Sequence, residues 1–134
     1  MVRRHTPSLS FEVFPPNPAV GNDKIFQALR EMQDLAPHFI SVTASNNKFD
    51  IEETTVRLTE FIANDLKIPT IAHLPAVYLT KDMVSNILQS LDRVGVHQIL
   101  ALRGDIFPDV APKDDFTFAT DLIEYIKTEA PHFD

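Results

Sequence analysis

The stretch TKDMVSNILQSLDRVGVHQILAL, residues 80–102, predicts one helix followed by one strand. Apolar residues recur at three- and four-residue steps over residues 80–94, which is the period of an amphipathic helix. Thr80 is a residue type that caps a helix start, and Gly95 is one that ends a helix. The short apolar run at 99–102 is typical of a buried strand. This stretch therefore predicts a helix–strand unit.

The same alternation extends over the whole chain. Apolar or β-branched runs predict four strands, at residues 9–14, 39–43, 70–74 and 99–102. Helical periodicity predicts four helices, between Asn22 and Pro37, at 52–66, at 80–94 and at 119–128. The strand ends Phe14, Thr43, His73 and Leu102 are 29, 30 and 29 residues apart, which is the length of one βα unit.

This repeat predicts an α/β fold with a parallel sheet and right-handed crossovers. We expect a single domain over residues 1–134, because 134 residues with 44% apolar and 23% charged side chains suffice for one core. Four βα units make half of an eight-unit TIM-type barrel, whereas a small doubly wound sheet would be complete with four. Composition does not choose between these two architectures.

Charge and composition exclude several function classes. The net charge is −7, from 12 basic and 19 acidic residues, and the only adjacent basic pair is Arg3 and Arg4, so we expect no nucleic-acid partner and no membrane binding. The absence of cysteine excludes disulfides, cysteine zinc sites and thiol catalysis. No secretory signal is visible and the longest apolar run has four residues, so we expect a cytoplasmic protein.

Glu12 is a charged residue inside the first predicted strand, in SFEVF at residues 10–14. Strand alternation places its side chain on the face opposite Phe11 and Val13. If the Phe11 face packs on helices, Glu12 points to the other side of the sheet, where burial would favour the protonated carboxyl and make it a candidate general acid. The alternative is a structural carboxylate held by an arginine or lysine.

Polar residues also occur at the ends of the second and third predicted strands. Ser41 and Thr43 share one face of the second strand, which leads into the polar loop 44–47. His73 ends the third strand, at the edge of the sheet where α/β folds bind ligands. These residues could hold a polar ligand, or they could form a plain turn and a core histidine.

The fourth predicted strand is followed by Arg103, Gly104 and Asp105. Gly104 would allow a close backbone approach, and Arg103 could position an anionic or dipolar cofactor. Asp105 could stabilise a cation that develops during a reaction. A surface salt bridge is the alternative, and the chain has no glycine-rich phosphate loop.

Five segments of the chain together resemble the methylenetetrahydrofolate reductase family in order and spacing. They are SFEVFPP at 10–16, FISVT at 39–43, AHL at 72–74, ALRGD at 101–105 and FATDL at 118–122. The resemblance implies an FAD-dependent (βα)₈ barrel of one-carbon and methionine metabolism. In that reaction NAD(P)H reduces FAD, and the reduced flavin converts 5,10-methylenetetrahydrofolate to 5-methyltetrahydrofolate.

The resemblance also implies roles for individual residues. Glu12 would be the general acid that assists opening of the methylene bridge to an iminium ion, and Asp105 would favour that cation. The flavin-binding residues that it implies are Thr43, Asn46, His73, Leu102, Arg103, Gly104, Asp105 and Phe118. No metal is implied.

The chain departs from the family pattern at three places. Ala44 and Ser45 stand where the family has tyrosine and glycine, and Phe118 stands where it often has tyrosine. The sequence ends at PHFD, residues 131–134, just before a fifth strand would begin. We therefore expect that this chain alone is not a competent reductase, and that it forms a homo-oligomer or pairs with a complementary barrel half.

Two other functions remain open from the sequence. Glu12, His73 and Asp105 could be the ligands of a metal-dependent barrel enzyme, although a single histidine without a His-x-His pair is a weak metal signal. The chain could also be a catalytically silent barrel fragment that acts as an interaction or assembly module.

Overall fold

A computed structural model of the protein describes residues 7–44 and 50–134, and these residues form a four-stranded parallel sheet. The strands are β1 (Ser10–Val13), β2 (Phe39–Val42), β3 (Thr70–Pro75) and β4 (Gln98–Leu102). Their spatial order, β1-β2-β3-β4, follows the chain, and each neighbouring pair is parallel. All four predicted strands are thus confirmed, with ends shifted by one residue or so.

Helical segments connect the strands and follow the last one. They are α1 (Asp23–Gln33), α2 (Arg57–Glu60) between π-helical turns at Glu52–Val56 and Phe61–Asp65, a 3₁₀ turn at Ala76–Tyr78, α3 (Lys81–Arg93) and α4 (Ala119–Glu129). The four predicted helices are confirmed. Among the described residues, no helix combines the length and apolar character that crossing a membrane requires.

The α3 helix shows how the sequence sets these boundaries. The hydroxyl of Thr80 accepts a hydrogen bond from the Met83 amide at 3.2 Å, which satisfies one free donor at the helix start. At the other end, Gly95 has a φ of +79°, and the Val96 amide donates to the Leu91 carbonyl at 2.9 Å. This is the left-handed glycine ending that closes a helix and turns the chain into the next strand.

Strand alternation separates two faces of the sheet. Val13, Val42, Ala72 and Ile99 form one row across the four strands, and Glu12, Ser41, Ile71 and Gln98 form the row beside it on the other face. The first row packs against the helices in two apolar clusters, centred on Leu29 and Ile40 and on Leu74 and Leu91. We call this side the core face and the Glu12 side the open face.

The consecutive strand order decides between the two architectures that the sequence allowed. A doubly wound sheet reverses its strand order at a switch point, whereas a TIM-type barrel adds each strand beside the previous one. The observed order, with alternating helices, is consistent with part of a TIM-type barrel, and among the described strands the sheet is not closed.

The last residues lie along the outer edge of β4. The Asp134 amide donates to the His97 carbonyl, and the Ile99 amide donates to the Asp134 carbonyl, both at 2.8 Å. Two adjacent strands of a parallel sheet are joined by the same pattern of hydrogen bonds. Phe133 beside it is buried in the core. The β4 edge is therefore partly covered.

Candidate functional site

A cavity of about 370 Å³ lies at the carboxyl ends of the strands on the open face. Its lining includes the polar residues Glu12, Thr43, His73, Tyr78 and Asp105, and apolar residues at its wall include Phe14, Leu100, Leu102 and Phe107. Larger cavities of about 460 and 750 Å³ lie elsewhere on the molecule. The 370 Å³ cavity receives side chains from or beside all four strands, at the edge where α/β folds bind ligands.

Glu12 and His73 face each other across this cavity. Glu12 Oε1 lies 3.7 Å from His73 Nε2, and the two side chains are 55% and 8% exposed. Burial lowers the pKa of His73, and the nearby Glu12 charge opposes that shift less strongly. His73 is therefore a neutral imidazole at pH 7, next to a carboxylate that solvent and ligands can reach.

The exposure of Glu12 corrects one expectation. Strand alternation correctly placed it opposite Phe11 and Val13, but the expected burial is wrong because no described element packs against the open face at Glu12. Among the described residues, no arginine or lysine holds Glu12, and its neighbour is instead the imidazole of His73.

Two polar atoms of the cavity lining are buried without a hydrogen-bond partner among the described residues. They are Thr43 Oγ1 and His73 Nε2. Thr43 is held by its backbone, because its amide donates to the Val13 carbonyl and its carbonyl accepts from the Thr55 hydroxyl, both at 3.0 Å. A buried polar group left unpaired costs about 1–3 kcal/mol, so such groups in a cavity are typical of a site that hydrogen-bonds a ligand.

The loop after β4 approaches the end of β3 closely at Gly104. Its φ is +92°, and a Cβ added there would lie 3.0 Å from Pro75 Cβ and 3.2 Å from Val77 Cγ2. A side chain at this position would therefore be strained by both its backbone conformation and its neighbours. The close backbone approach predicted at Gly104 is confirmed.

Tyr78 anchors the same loop, although it is not among the site residues predicted from the sequence. Its hydroxyl donates to the Asp105 carbonyl at 2.6 Å and accepts from the Phe107 amide at 3.0 Å. The tyrosine in the apolar run 76–79 could have indicated this role, because a buried tyrosine hydroxyl usually has a hydrogen-bond partner. Through these bonds Tyr78 fixes the backbone that presents Asp105 to the cavity.

The structure does not bring all the predicted residues together. Arg103 is exposed, and its Nε donates to the Gly104 carbonyl at 3.1 Å. It lies outside the cavity lining and forms no ion pair with Asp105, so the alternative of a salt bridge between these two described residues is wrong. Phe118 is exposed at the start of α4, also away from the cavity lining. Asn46 lies outside the described residues.

The metal-enzyme alternative is not supported by the geometry. Within residues 7–44 and 50–134, Glu12, His73 and Asp105 do not bring three ligand atoms close enough to share an ion. The cavity instead combines two carboxylates, from Glu12 and Asp105, the neutral imidazole of His73 and the hydroxyls of Thr43 and Tyr78. This set can donate and accept protons and can stabilise a positive charge.

Comparisons with known proteins agree with this architecture. The family model for methylenetetrahydrofolate reductase matches residues 1–134. The 5,10-methylenetetrahydrofolate reductase of Buchnera aphidicola subsp. Baizongia pistaciae is 33% identical over 124 residues, which cover 92% of this chain and 41% of that protein.

Two eukaryotic relatives match over a similar part of the chain. Methylenetetrahydrofolate reductase 1 of Schizosaccharomyces pombe is 29% identical over 123 residues, 89% of this chain and 20% of that protein. The probable methylenetetrahydrofolate reductase (NADH) of Oryza sativa is 28% identical over 128 residues, 90% of this chain and 21% of that protein. The chain spans about two fifths of the bacterial relative and about one fifth of these two. Since the family model covers every residue, this chain belongs to the methylenetetrahydrofolate reductase family.

Proposed function

We propose that this chain forms part of the active site of a flavin-dependent reductase that converts 5,10-methylenetetrahydrofolate to 5-methyltetrahydrofolate with NAD(P)H. The observation that carries the proposal is the convergence of Glu12, His73 and Asp105 at the carboxyl ends of the strands, in a chain of this family. The name of the rice relative, which specifies NADH, supports a nicotinamide reductant. A cytoplasmic location is part of the same proposal.

Glu12 is the proposed general acid. Its carboxyl group is accessible from the cavity, and its only neighbouring ionisable partner among the described residues, His73, is 3.7 Å away. Opening the methylene bridge of the folate requires a proton on the departing nitrogen, and Glu12 would deliver it. His73 is neutral and therefore does not hold Glu12 in a permanent charged pair.

Asp105 is proposed to stabilise the iminium cation that this opening produces. Tyr78 fixes the Asp105 backbone, and the Asp105 side chain is exposed at the cavity. A carboxylate held at the edge of an apolar wall interacts with a positive charge more strongly than it would in bulk water. The two carboxyl groups of the cavity would thus have different roles: Glu12 would donate the proton, and Asp105 would stabilise the cation.

The residues of the cavity fit a flavin in their chemistry. When bound, FAD supplies the hydride transfer between nicotinamide and folate. Thr43 and His73 each have a buried polar atom that no described residue hydrogen-bonds, and Leu102 and Gly104 contribute the wall against which a flat ring system can lie. The roles of Asn46, Arg103 and Phe118 rest on the family resemblance alone.

A titration of the purified protein with FAD, followed by flavin absorbance and fluorescence, tests this proposal. We expect saturable binding of one FAD per cavity. The titration is repeated after mixing with the complementary barrel portion of a relative, because the chain spans only part of the relatives' length. Failure to bind FAD in both samples would contradict the proposal.

A second proposed role is assembly with a complementary barrel half or with another copy of this chain. The observation that favours it is the open face, where Phe14 and Leu100 are large exposed apolar side chains beside the cavity. Covering them would remove apolar surface from water. Sedimentation of the purified protein tests this role, and a monomer at all concentrations with no affinity for the complementary half would contradict it.

A further inference from the structure

One carboxylate and two imidazoles meet at the end of the sheet opposite the cavity. Asp92 lies in the last turn of α3, His97 directly precedes β4, and His132 lies in the C-terminal segment. His97 Nε2 and His132 Nε2 lie 2.6 and 3.2 Å from the same oxygen, Asp92 Oδ1. The three ligand atoms all lie within 4.8 Å of one another. We call these residues the Asp92 cluster.

Ring contacts and backbone hydrogen bonds around the Asp92 cluster hold its histidines in place. The His97 ring lies edge-on to the buried Phe133 ring at 5.3 Å between centroids, and 5.5 Å from the His132 ring. The Asp134 amide donates to the His97 carbonyl at 2.8 Å, and the Lys127 ammonium donates to the Phe133 carbonyl at 2.6 Å. These contacts fix the backbone next to both histidines and keep their rings directed to Asp92.

We propose that Asp92, His97 and His132 bind one divalent transition-metal ion of the Zn²⁺ type, with water completing the coordination. Two imidazole nitrogens and one carboxylate oxygen are ligands that Zn²⁺ accepts, whereas Mg²⁺ and Ca²⁺ prefer oxygen alone. Ligands about 2.1 Å from Zn²⁺ are about 3.4 Å apart at the tetrahedral angle. The three atoms therefore need only small side-chain rotations to surround an ion.

These rotations are available to the cluster. All three side chains are about half exposed, so an ion and its water can enter from solvent. The ion would replace the two hydrogen bonds to Asp92 Oδ1, with each imidazole binding through Nε2 and carrying its proton on Nδ1. Because the ligands come from α3, the start of β4 and the C-terminal segment, the ion would link these three elements.

Titration of the purified, tag-free protein with ZnCl₂ by calorimetry tests this site. We expect one ion per chain and a melting temperature that rises with the Zn²⁺ concentration. Asp92→Asn and His132→Gln should each weaken binding at least about tenfold, since even changes to outer partners of zinc ligands cost about 10–100-fold. Asp82→Asn, an exposed acid in the first turn of α3, and His38→Gln are the matched controls and should bind as the unaltered protein does.

An independent readout uses the unaltered protein and so does not depend on the folding of any variant. Among the five histidines, Zn²⁺ should shift the imidazole proton resonances of His97 and His132 and leave those of His38 and His73 in place. Three outcomes would overturn the proposal: less than half an equivalent of Zn²⁺ bound, equal weakening by Asp92→Asn and Asp82→Asn, or resonance shifts in other histidines alone.

Discussion

The two faces of the sheet are built from alternate residues of the same four strands, yet they differ in what they bury. On the core face, Ile40, Val42 and Ala72 are fully buried against helices. On the open face, Glu12 is largely exposed, while His73 beside it is buried with a ring nitrogen that has no hydrogen-bond partner within residues 7–44 and 50–134. One face therefore supports stability, and the other presents unpaired polar groups to a cavity.

Thr43 and Thr70 allow the two faces to be compared at the same type of residue. Both have a buried hydroxyl without a hydrogen-bond partner among the described residues. Thr43 lines the open-face cavity, whereas Thr70 pairs in register with Ile40 on the core face. An unpaired polar group alone therefore does not mark a ligand site, because its position on the open face is also required.

The largest expected effect is on catalysis by an open-face residue. In a protein that carries the complementary barrel portion, Glu12→Gln should slow folate reduction by about 10²–10⁴-fold, because the amide cannot deliver the proton. Flavin reduction by NAD(P)H does not need this proton and should be nearly unchanged. Rapid-mixing measurements of the two half-reactions check this, and equal loss of both would contradict the role of Glu12.

A core-face substitution should instead affect folding. Ile40→Ala removes a fully buried side chain and should lower the free energy of unfolding by about 2–5 kcal/mol. Its neighbour Ser41 lies on the open face, and Ser41→Ala should cost less than about 1 kcal/mol. Urea unfolding of both variants makes the comparison, and similar losses would show that the two faces do not differ as described.

Substitutions at Gly104 and Gly95 distinguish the cost of backbone strain from the cost of steric contact. Gly104→Ala should destabilise the protein by about 2–4 kcal/mol, because its left-handed backbone and its 3.0 Å approach to Pro75 both resist a Cβ. Gly95 has a similar φ of +79° but open space around it, so Gly95→Ala should cost only about 1–2 kcal/mol. Thermal unfolding checks the difference, and a larger loss for Gly95→Ala would argue against the close approach.

The smallest expected effect is the pH dependence of stability that His73 causes. Because burial lowers its pKa in the folded state, the unfolded chain binds more protons as the pH falls below the ordinary value of 6.5. The contribution of neutral His73 to the free energy of unfolding should therefore be fully present above pH 6.5. It should be lost progressively as the pH falls below that value. His73→Gln should flatten this decline, as measured by urea unfolding between about pH 5 and 7, and an unchanged decline in this variant would contradict the role of His73.

Local patterns in the sequence predicted the elements well, because helix and strand periods depend on neighbouring residues. Residues 52–66 were predicted as one helix. The π-helical turns within this segment were not predicted, because they change the backbone hydrogen bonding while the side chains keep a similar helical spacing. The helix after Asn22 ends at Gln33, although Pro37 was the visible stop signal. Helix ends depend on capping geometry that the sequence specifies weakly.

The site was predicted less completely, because its geometry depends on residues far apart in sequence. Alternation placed Glu12 on the correct face but could not give its exposure, which depends on what packs across the sheet. The hydrogen bond from Tyr78 to Asp105 spans 27 residues, and that between His132 and Asp92 spans 40. Strand alternation and helix periodicity carry no information on such distant pairs.

The most direct test of the open-face cavity compares FAD affinity in Thr43→Val and Thr70→Val. Both substitutions remove a buried hydroxyl that has no partner in the described part of the chain, with little change in shape, so any general effect on folding should be similar. If the open-face cavity is the flavin site, Thr43→Val should weaken FAD binding several-fold and Thr70→Val should leave it unchanged. Equal affinities in the two variants, or a larger loss in Thr70→Val, would contradict the assignment of the cavity.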